Sequence, residues 1–313
     1  MKFLLFLCLI PQLAFCKTLI FTTAFNRPDF IEWQHKLFEK FMEDEYEYMV
    51  FSDANTEAMQ AEIQNKCDEL KVTCINVPQS IHTQPYLTRR SIENLHQPNI
   101  RNCNAVQWAW DHYIVKHQGP VLLIDSDMFL IRPFSVEQAL KEHDTAFVLY
   151  SGDDPETQIN YGYMWIALIC FNMETLPAPE TICFNCGILP GTAAMVDSGG
   201  WTHFYLKKYQ QELRSRIISY VPGYTFYCPY YRNITSLQHL STPNEEIVAD
   251  LTKRGFTNHE IEFVLEKPDT IELLFDNHFL HYRCGTNYEG YSMQHIEKKD
   301  RAILSFFNKI LGD

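Results

Sequence analysis

From Thr18 onward, short apolar runs alternate with amphipathic stretches. Thr18 to Thr23 is an apolar run that predicts a buried strand. Pro28 then stands at a first helical position, and Phe30, Trp33, Leu37 and Phe41 make an apolar stripe. Tyr46 to Phe51 predicts a second strand closed by Ser52-Asp53, and Met59, Ile63 and Cys67 at i+4 spacing predict the next helix. Lys71 to Val77 predicts a third strand, ended by Pro78. A polar stretch from Gln79 to Arg101 carries Arg89, Arg90 and Arg101. Asn102 is expected to cap a helix running to about His117, with Val106, Trp110, Tyr113 and Ile114 on one face. Gly119-Pro120 stops it, and an aliphatic run through Ile124 predicts a fourth strand.

The second half is less regular. Ser135 is expected to cap a short helix to about Glu142, and Thr145 to Tyr150 and Gly162 to Phe171 predict strands. Leu176 to Pro190 reads as a loop rich in Pro and Cys. Asp197-Ser-Gly-Gly200 precedes a helix through Leu206 and Tyr209, and helices are expected from about Asn244 to Lys253 and His295 to Leu311. Repeated strand–helix–strand units predict an α/β fold with a Rossmann-like, mainly parallel sheet and helices on both faces. Ligands of such sheets collect beyond the carboxyl ends of the strands, where Thr22, Thr23, Asp53, Asp125 and Asp127 all fall.

Composition narrows the setting. A chain of 313 residues, 46% hydrophobic, is long enough for one large domain. Its net charge of −13, with no basic run, argues against a nucleic-acid partner or an anionic membrane surface. Lys2, the apolar stretch from Phe3 to Phe15 and Ala14-Phe15-Cys16 predict a signal peptide over residues 1–16. A spanning helix needs about 20 apolar residues, and Pro11 interrupts this stretch, so no stable membrane span is expected after cleavage. The expected location is the secretory lumen (endoplasmic reticulum or Golgi) or outside the cell, with export from a bacterium as the alternative. Removal of Cys8 and Cys16 leaves an even number of cysteines, which suits an oxidising compartment. Cys67 and Cys74 are the first expected pair; Cys183-Phe-Asn-Cys186 reads as structural thiols or disulfides. Asn233-Ile-Thr235 is a glycosylation sequon.

The strongest chemical signal is Asp125-Ser126-Asp127 at the end of the fourth strand. Residues two apart on a strand share a face, and both carboxylates can converge on one cation where the strand opens. Two unpaired carboxylates beside four aliphatic residues would cost several kcal/mol per ion. The sequence therefore implies a hard divalent cation, Mn²⁺ or Mg²⁺. Leu273 to Arg283 is an apolar strand ending in a polar cluster, with His281 the candidate third ligand, His278 its competitor, and a core histidine the plainer reading. Asp197 is placed to deprotonate an acceptor hydroxyl, which would give inversion, or simply to cap the helix after it. Gly199 and Gly200 let a backbone approach a ligand closely, and Trp201 can stack on a sugar face.

Hydrophobic residues followed by D-x-D, after three strand–helix units, resemble the motif of glycosyltransferases with the A-type nucleotide-sugar fold (GT-A). The resemblance implies a single catalytic domain over 17–313, with 17–134 the nucleotide-binding half and 135–313 the acceptor side. It implies a nucleotide-sugar donor, a glycan, protein or lipid acceptor, and Asp125, Asp127 and His281 as metal ligands. Thr22, Thr23, Ala24 and Phe25 would lie beneath the nucleotide, with Asp53 accepting from base or ribose. Arg101, Asn104, Ser126, Gly199, Gly200 and Arg283 would meet phosphate or sugar, though turn and cap roles stay open for several of these. The late histidine departs from the retaining-family H-x-x-G-x-K form, since here the spacing to Gly285 is H-x-x-x-G and Lys298 and Lys299 lie farther on. Two alternatives remain: a haloacid-dehalogenase-like phosphatase, and an inactive secreted glycan-binding protein on a transferase scaffold.

Overall fold

The computed structural model describes residues 16–83, 98–154, 156–219, 274–282, 285 and 293–312, with scattered positions between 249 and 258. β1 (Thr18–Ala24) is buried along its whole length, which is why its sequence shows no polar alternation. Pro28 opens α1 (Pro28–Phe41), where its missing N–H leaves no bond unmade, and Asp29 lies in the first turn. β2 (Tyr46–Ser52) follows. The Thr56 hydroxyl caps α2 (Glu57–Leu70) by accepting from the Met59 N–H at 3.2 Å. Lys71 ends that helix with φ of 58°, so β3 (Thr73–Asn76) begins later than the apolar pattern predicts.

A short helix, α3 (Ser80–Thr83), precedes α4 (Pro98–His112), which starts ahead of Asn102 and places that residue inside the helix rather than at its cap. β4 (Pro120–Ile124) delivers the two aspartates to a turn, and β5 (Met128–Leu130) leaves it. Ser135 does cap α5 (Val136–Ala139), which is shorter than predicted. β6 (Thr145–Asp153) and β7 (Asn160–Asn172) form a hairpin longer than the apolar runs suggest. Then come β8 (Gly187–Ile188), β9 (Met195–Val196), α6 (Thr202–Lys208), β10 (Ser215–Ile217), β11 (Leu274–Phe275), β12 (Phe279–His281) and α7 (Met293–Leu311).

Seven strands make one sheet in the order β10-β6-β7-β4-β1-β2-β3. β1, β2, β3 and β4 run parallel, β10 is parallel to β6, and β7 is antiparallel to both its neighbours. This is the expected Rossmann-like, largely parallel α/β sheet, completed by strands from the second half. The chain steps outward from β1 to β3, then returns to β4 on the other side of β1. That reversal opens a crevice beyond the carboxyl ends of β1 and β4. Alternate residues feed two cores. Ile20, Val50 and Leu122 face α1, α2 and α7, whereas Phe21, Phe51 and Leu123 face α4.

A second sheet, β11-β12-β5, stands beside the crevice. Its register sets His281 opposite Met128, one residue past Asp127. Among the described residues no helix is long and apolar enough to cross a membrane. Residues 1–15 of the expected signal peptide, Arg283, the sequon at Asn233 and most of the helix expected at 244–253 lie outside the described residues.

Candidate functional site

The Asp125–Met128 turn is built from below by α1. Gln34 is fully buried, and its Nε2 donates to the carbonyls of Asp125 and Met128, both at 2.8 Å. Tyr48 donates its hydroxyl to Gln34 Oε1 at 2.6 Å, which fixes the amide's orientation. From the side, the Asp125 N–H donates to the Ala167 carbonyl of β7 at 3.0 Å. One polar side chain in an apolar stripe thus holds both ends of the turn. Sequence reading missed it, because a lone Gln among apolar residues carries no periodic signal.

The two carboxylates differ in surroundings. Asp127 is 6% exposed; its Oδ2 accepts from the Gly285 N–H at 3.1 Å and its carbonyl from the Tyr282 N–H at 2.7 Å. Its Oδ1 has no hydrogen-bond partner among the described residues and lies 3.5 Å from His281 Nε2. Asp125 is half-buried. Its Oδ1 accepts from the Ser126 N–H at 2.9 Å, and its Oδ2 faces Asn102 Nδ2 at 3.5 Å. Burial pushes the Asp125 pKa up to about 7, the charge of Asp127 adds to that rise, and His281 opposes it. Among the described residues no lysine or arginine pairs with either carboxylate. No three His, Cys, Asp or Glu side chains there form a finished metal cage either. Two buried oxygens and an imidazole edge nonetheless match, in donor type, what a hard or borderline divalent cation takes.

The segment bearing His281 is tied down through its own network. Buried Arg27 donates to both oxygens of Asp29 at 2.8 and 2.6 Å, to Asp300 at 3.2 Å and to the Gly285 carbonyl at 3.1 Å. The Tyr282 hydroxyl donates to Asp300 at 2.6 Å. A Cβ on Gly285 would stand 2.6 Å from ring carbons of Phe30 and Tyr282 and 2.9 Å from Asp127 Cβ, so only glycine lets this segment reach the turn. His281 is buried, and its ring meets Trp165 edge-on at 5.2 Å.

On the β1 and β2 side, the strand ends form a polar cluster. Thr23 donates to Asn102 Oδ1 at 2.8 Å, so β1, α4 and Asp125 are linked in series across the crevice. Asn102 therefore stands where the sequence reading expected Asn104. The Asn104 amide is buried and finds no partner among the described residues. Asp53 is 3% exposed and already engaged: Arg101 reaches its carboxylate at 2.8 Å and its carbonyl at 2.6 Å, and His82 Nε2 lies 2.7 Å from Oδ1. The Arg101 guanidinium lies 4.8 Å from the centre of the Phe25 ring. Ala24 is buried in the core. Thr22, on the same face of β1, buries a hydroxyl with no partner among the described residues.

On the other side, Asp197 is exposed and its carboxylate does not cap α6, whose first turn has no side-chain cap. Its N–H meets the Tyr163 hydroxyl at 3.3 Å, and it is close enough to Asp125 to raise that group's pKa further. Ser198 is buried next to it. Gly199 has φ of 86°, and a Cβ there would overlap the Met164 carbonyl of β7; one on Gly200 would overlap Val196. These glycines thus serve contacts within the chain. Tyr150 and Trp165 stack at 5.0 Å, and Tyr163 meets Tyr150 at 5.8 Å, so an aromatic row runs from His281 along the β6–β7 hairpin. Asp153 is exposed, but its neighbour Asp154 is buried and accepts from the Thr157 and Ala193 N–H groups.

No protein-family profile and no curated protein matches the chain. Solved structures share its outline at low similarity. A mannosyltransferase from Pyrobaculum calidifontis, in complex with GDP-Man and Mn²⁺, is 11% identical with a TM-score of 0.40, over 93% of this chain and 75% of its own. Core-mannan synthase A from Aspergillus fumigatus, in its Mn/GDP form, is 12% identical with a TM-score of 0.35, over 52% of this chain and 61% of its own. The mannosyltransferase Ktr4p from S. cerevisiae is 12% identical with a TM-score of 0.36, over 52% and 57%. The chain thus matches little more than half the length of the two fungal enzymes. Likeness of this degree is confined to the outline of the fold, and activity has to be read from the residues themselves.

Proposed function

We propose that the chain is a metal-dependent glycosyltransferase that moves a sugar from a nucleotide-sugar donor to an acceptor hydroxyl. One observation carries this reading: two carboxylates, neither paired with a lysine or arginine among the described residues and with only His281 beside them, lie together at the crevice where the strand order reverses. Asp125 and Asp127, with His281 beside them, would hold Mn²⁺ or Mg²⁺. The bound ion would neutralise the departing nucleoside diphosphate as a Lewis acid.

The chain's own groups have separable tasks in this reading. Gln34 fixes the turn so that both carboxylates stay on one side of it. Asn102 orients Asp125, and the Gly285 N–H holds one oxygen of Asp127, leaving the other free to bind. Phe25 with Arg101 offers a flat cationic surface to a nucleobase. His82 and Arg101 occupy the Asp53 carboxylate, so a base or ribose would meet those side chains before it met Asp53. Asp197, exposed and with its N–H on the Tyr163 hydroxyl at one end of the aromatic row, would accept the acceptor's proton. Location in a secretory lumen and an intact catalytic domain over 17–313 belong to the same proposal.

The test is a thermal shift and product analysis with UDP-, GDP- and CDP-sugars, each with and without Mn²⁺. A shift that needs both metal and one nucleotide, lost in Asp127→Asn with the fold retained, supports the transferase. Full transfer activity in Asp127→Asn removes it. A shift with free glycans alone would point to a binding protein.

A further inference from the structure

We propose that Cys103 and Cys186 are joined by a disulfide that fastens the Asp197 turn to α4, the helix carrying Arg101 and Asn102. The bond itself does not depend on the transferase reading. Cys103 is fully buried on α4, Cys186 is 2% exposed just before β8, and with Ile100 they form a small apolar cluster apart from the two main cores. The two thiols meet in that cluster, and the Ser198 hydroxyl beside it reaches the Asn99 carbonyl at the start of α4 at 3.4 Å. The C-x-x-C spacing suggests Cys183 as the partner of Cys186, but Cys183 is half-buried and lies outside that cluster.

The backbone around the pair is already held in place by other bonds. Gln107 of α4 donates to the Ile182 carbonyl at 3.1 Å and accepts from the Phe184 N–H at 2.8 Å. Onward from this loop, the Phe184 carbonyl accepts from the Gly199 N–H and the Asn185 carbonyl from the Trp201 N–H, both at 3.0 Å. A bond at Cys186 therefore acts on a loop that is one hydrogen bond from Gly199, two residues past Asp197. Both are free thiols in the structure, and their meeting in a dry pocket, on a loop docked independently, is an arrangement suited to oxidation to a disulfide.

The chemistry is ordinary thiol–disulfide exchange. One cysteine loses its proton and attacks the disulfide of a small oxidised thiol or a protein oxidoreductase, giving a mixed disulfide and one released thiol. The second cysteine, also deprotonated, displaces the carrier and forms the Cys103–Cys186 bond. The oxidant leaves with the two electrons and, as two thiols, the two protons.

The full chain, made through an oxidising secretory route, is denatured with N-ethylmaleimide present and no reductant, then digested and mapped by mass spectrometry. A peptide pair joined through Cys103 and Cys186, separated by reduction, is expected. Recovery of both residues as maleimide adducts, or a link from Cys186 to Cys183, overturns the proposal. As a second measurement, Cys67→Ala/Cys74→Ala isolates this bond from the pair expected from sequence, both members of which lie in the α1/α2 core as free thiols. Dithiothreitol should lower the Tm of that variant by about 5 to 10 °C. An unchanged Tm also overturns it.

Discussion

Replacing Gln34 by Met keeps the volume and length of the side chain but removes its donors and acceptor. The cost can be worked from the ladder. In the β5–β12 pair, Asp127 and Tyr282 are bonded, as are Ile131 and His278, so the alternation leaves Met128 opposite His281 in a non-bonded position. The Met128 carbonyl therefore points away from β12, and Gln34 is the partner that satisfies it. The Asp125 carbonyl keeps its turn bond from the Met128 N–H at 3.1 Å. Two groups are then orphaned in the interior, the Met128 carbonyl and the Tyr48 hydroxyl. At about 1 to 3 kcal/mol each, the variant should lose roughly 2 to 6 kcal/mol. Burial holds the Tyr48 phenol well above its ordinary pKa, so it stays protonated and donating throughout the accessible range.

Urea unfolding of four proteins completes the cycle. Tyr48→Phe should destabilise the parent, because it strips Gln34 Oε1 of its donor. In the Gln34→Met background it should be neutral or stabilising, because it deletes an orphan. A loss below about 1 kcal/mol in Gln34→Met, or the same sign and size for Tyr48→Phe in both backgrounds, refutes the clamp. A Mn²⁺ titration of the same variants should show weakened binding wherever the turn is released.

Gly285→Ala should cost about 1 to 3 kcal/mol in urea unfolding, because its Cβ meets Phe30, Tyr282 and Asp127, and should weaken Mn²⁺ binding in parallel. Gly199→Ala combines an unfavourable positive φ with overlap on the Met164 carbonyl; a lower Tm and slowed transfer are expected, and an unchanged Tm would contradict the packing described. Asp144 gives a pH test. It accepts from Thr175 at 2.6 Å and from Arg214 at 2.5 Å, and these bonds outweigh its burial to hold its pKa below the ordinary carboxylate value. Its contribution is therefore complete above the unfolded pKa of about 3.9 and fades as pH falls through the lower folded value. Asp144→Asn should be less stable than the parent at pH 7, with the gap closing in acid.

β1 and β4 were readable because they are buried on both faces, and uninterrupted apolar runs such as Thr18–Ala24 leave little else for the chain to do. Asp125 and Asp127 were readable because two charges at the end of such a run have no structural excuse. Asn102 was missed as a site residue because its role depends on helix phase, and the start of α4 at Pro98 leaves no strong mark in a polar stretch. The second sheet was legible only as one apolar strand from Leu273 to Arg283; the structure breaks that run at Asp276 and Asn277 into β11 and β12, and strands of two or three residues, β5 included, are too short for a period to show. Cys103 and Cys186 become neighbours only through the docking of Gln107 on the loop at Ile182 and Phe184, which no local pattern encodes.

The hydrogen bond from Gly285 to Asp127 joins residues 158 positions apart. At about 5 to 20 residues per second, a ribosome needs roughly 8 to 30 s to make the stretch between them. For that interval the growing polypeptide holds two neighbouring acids without the backbone donor at Gly285 that takes one oxygen of Asp127. If the proposed metal role holds, competence for the ion would be deferred until synthesis has passed Gly285.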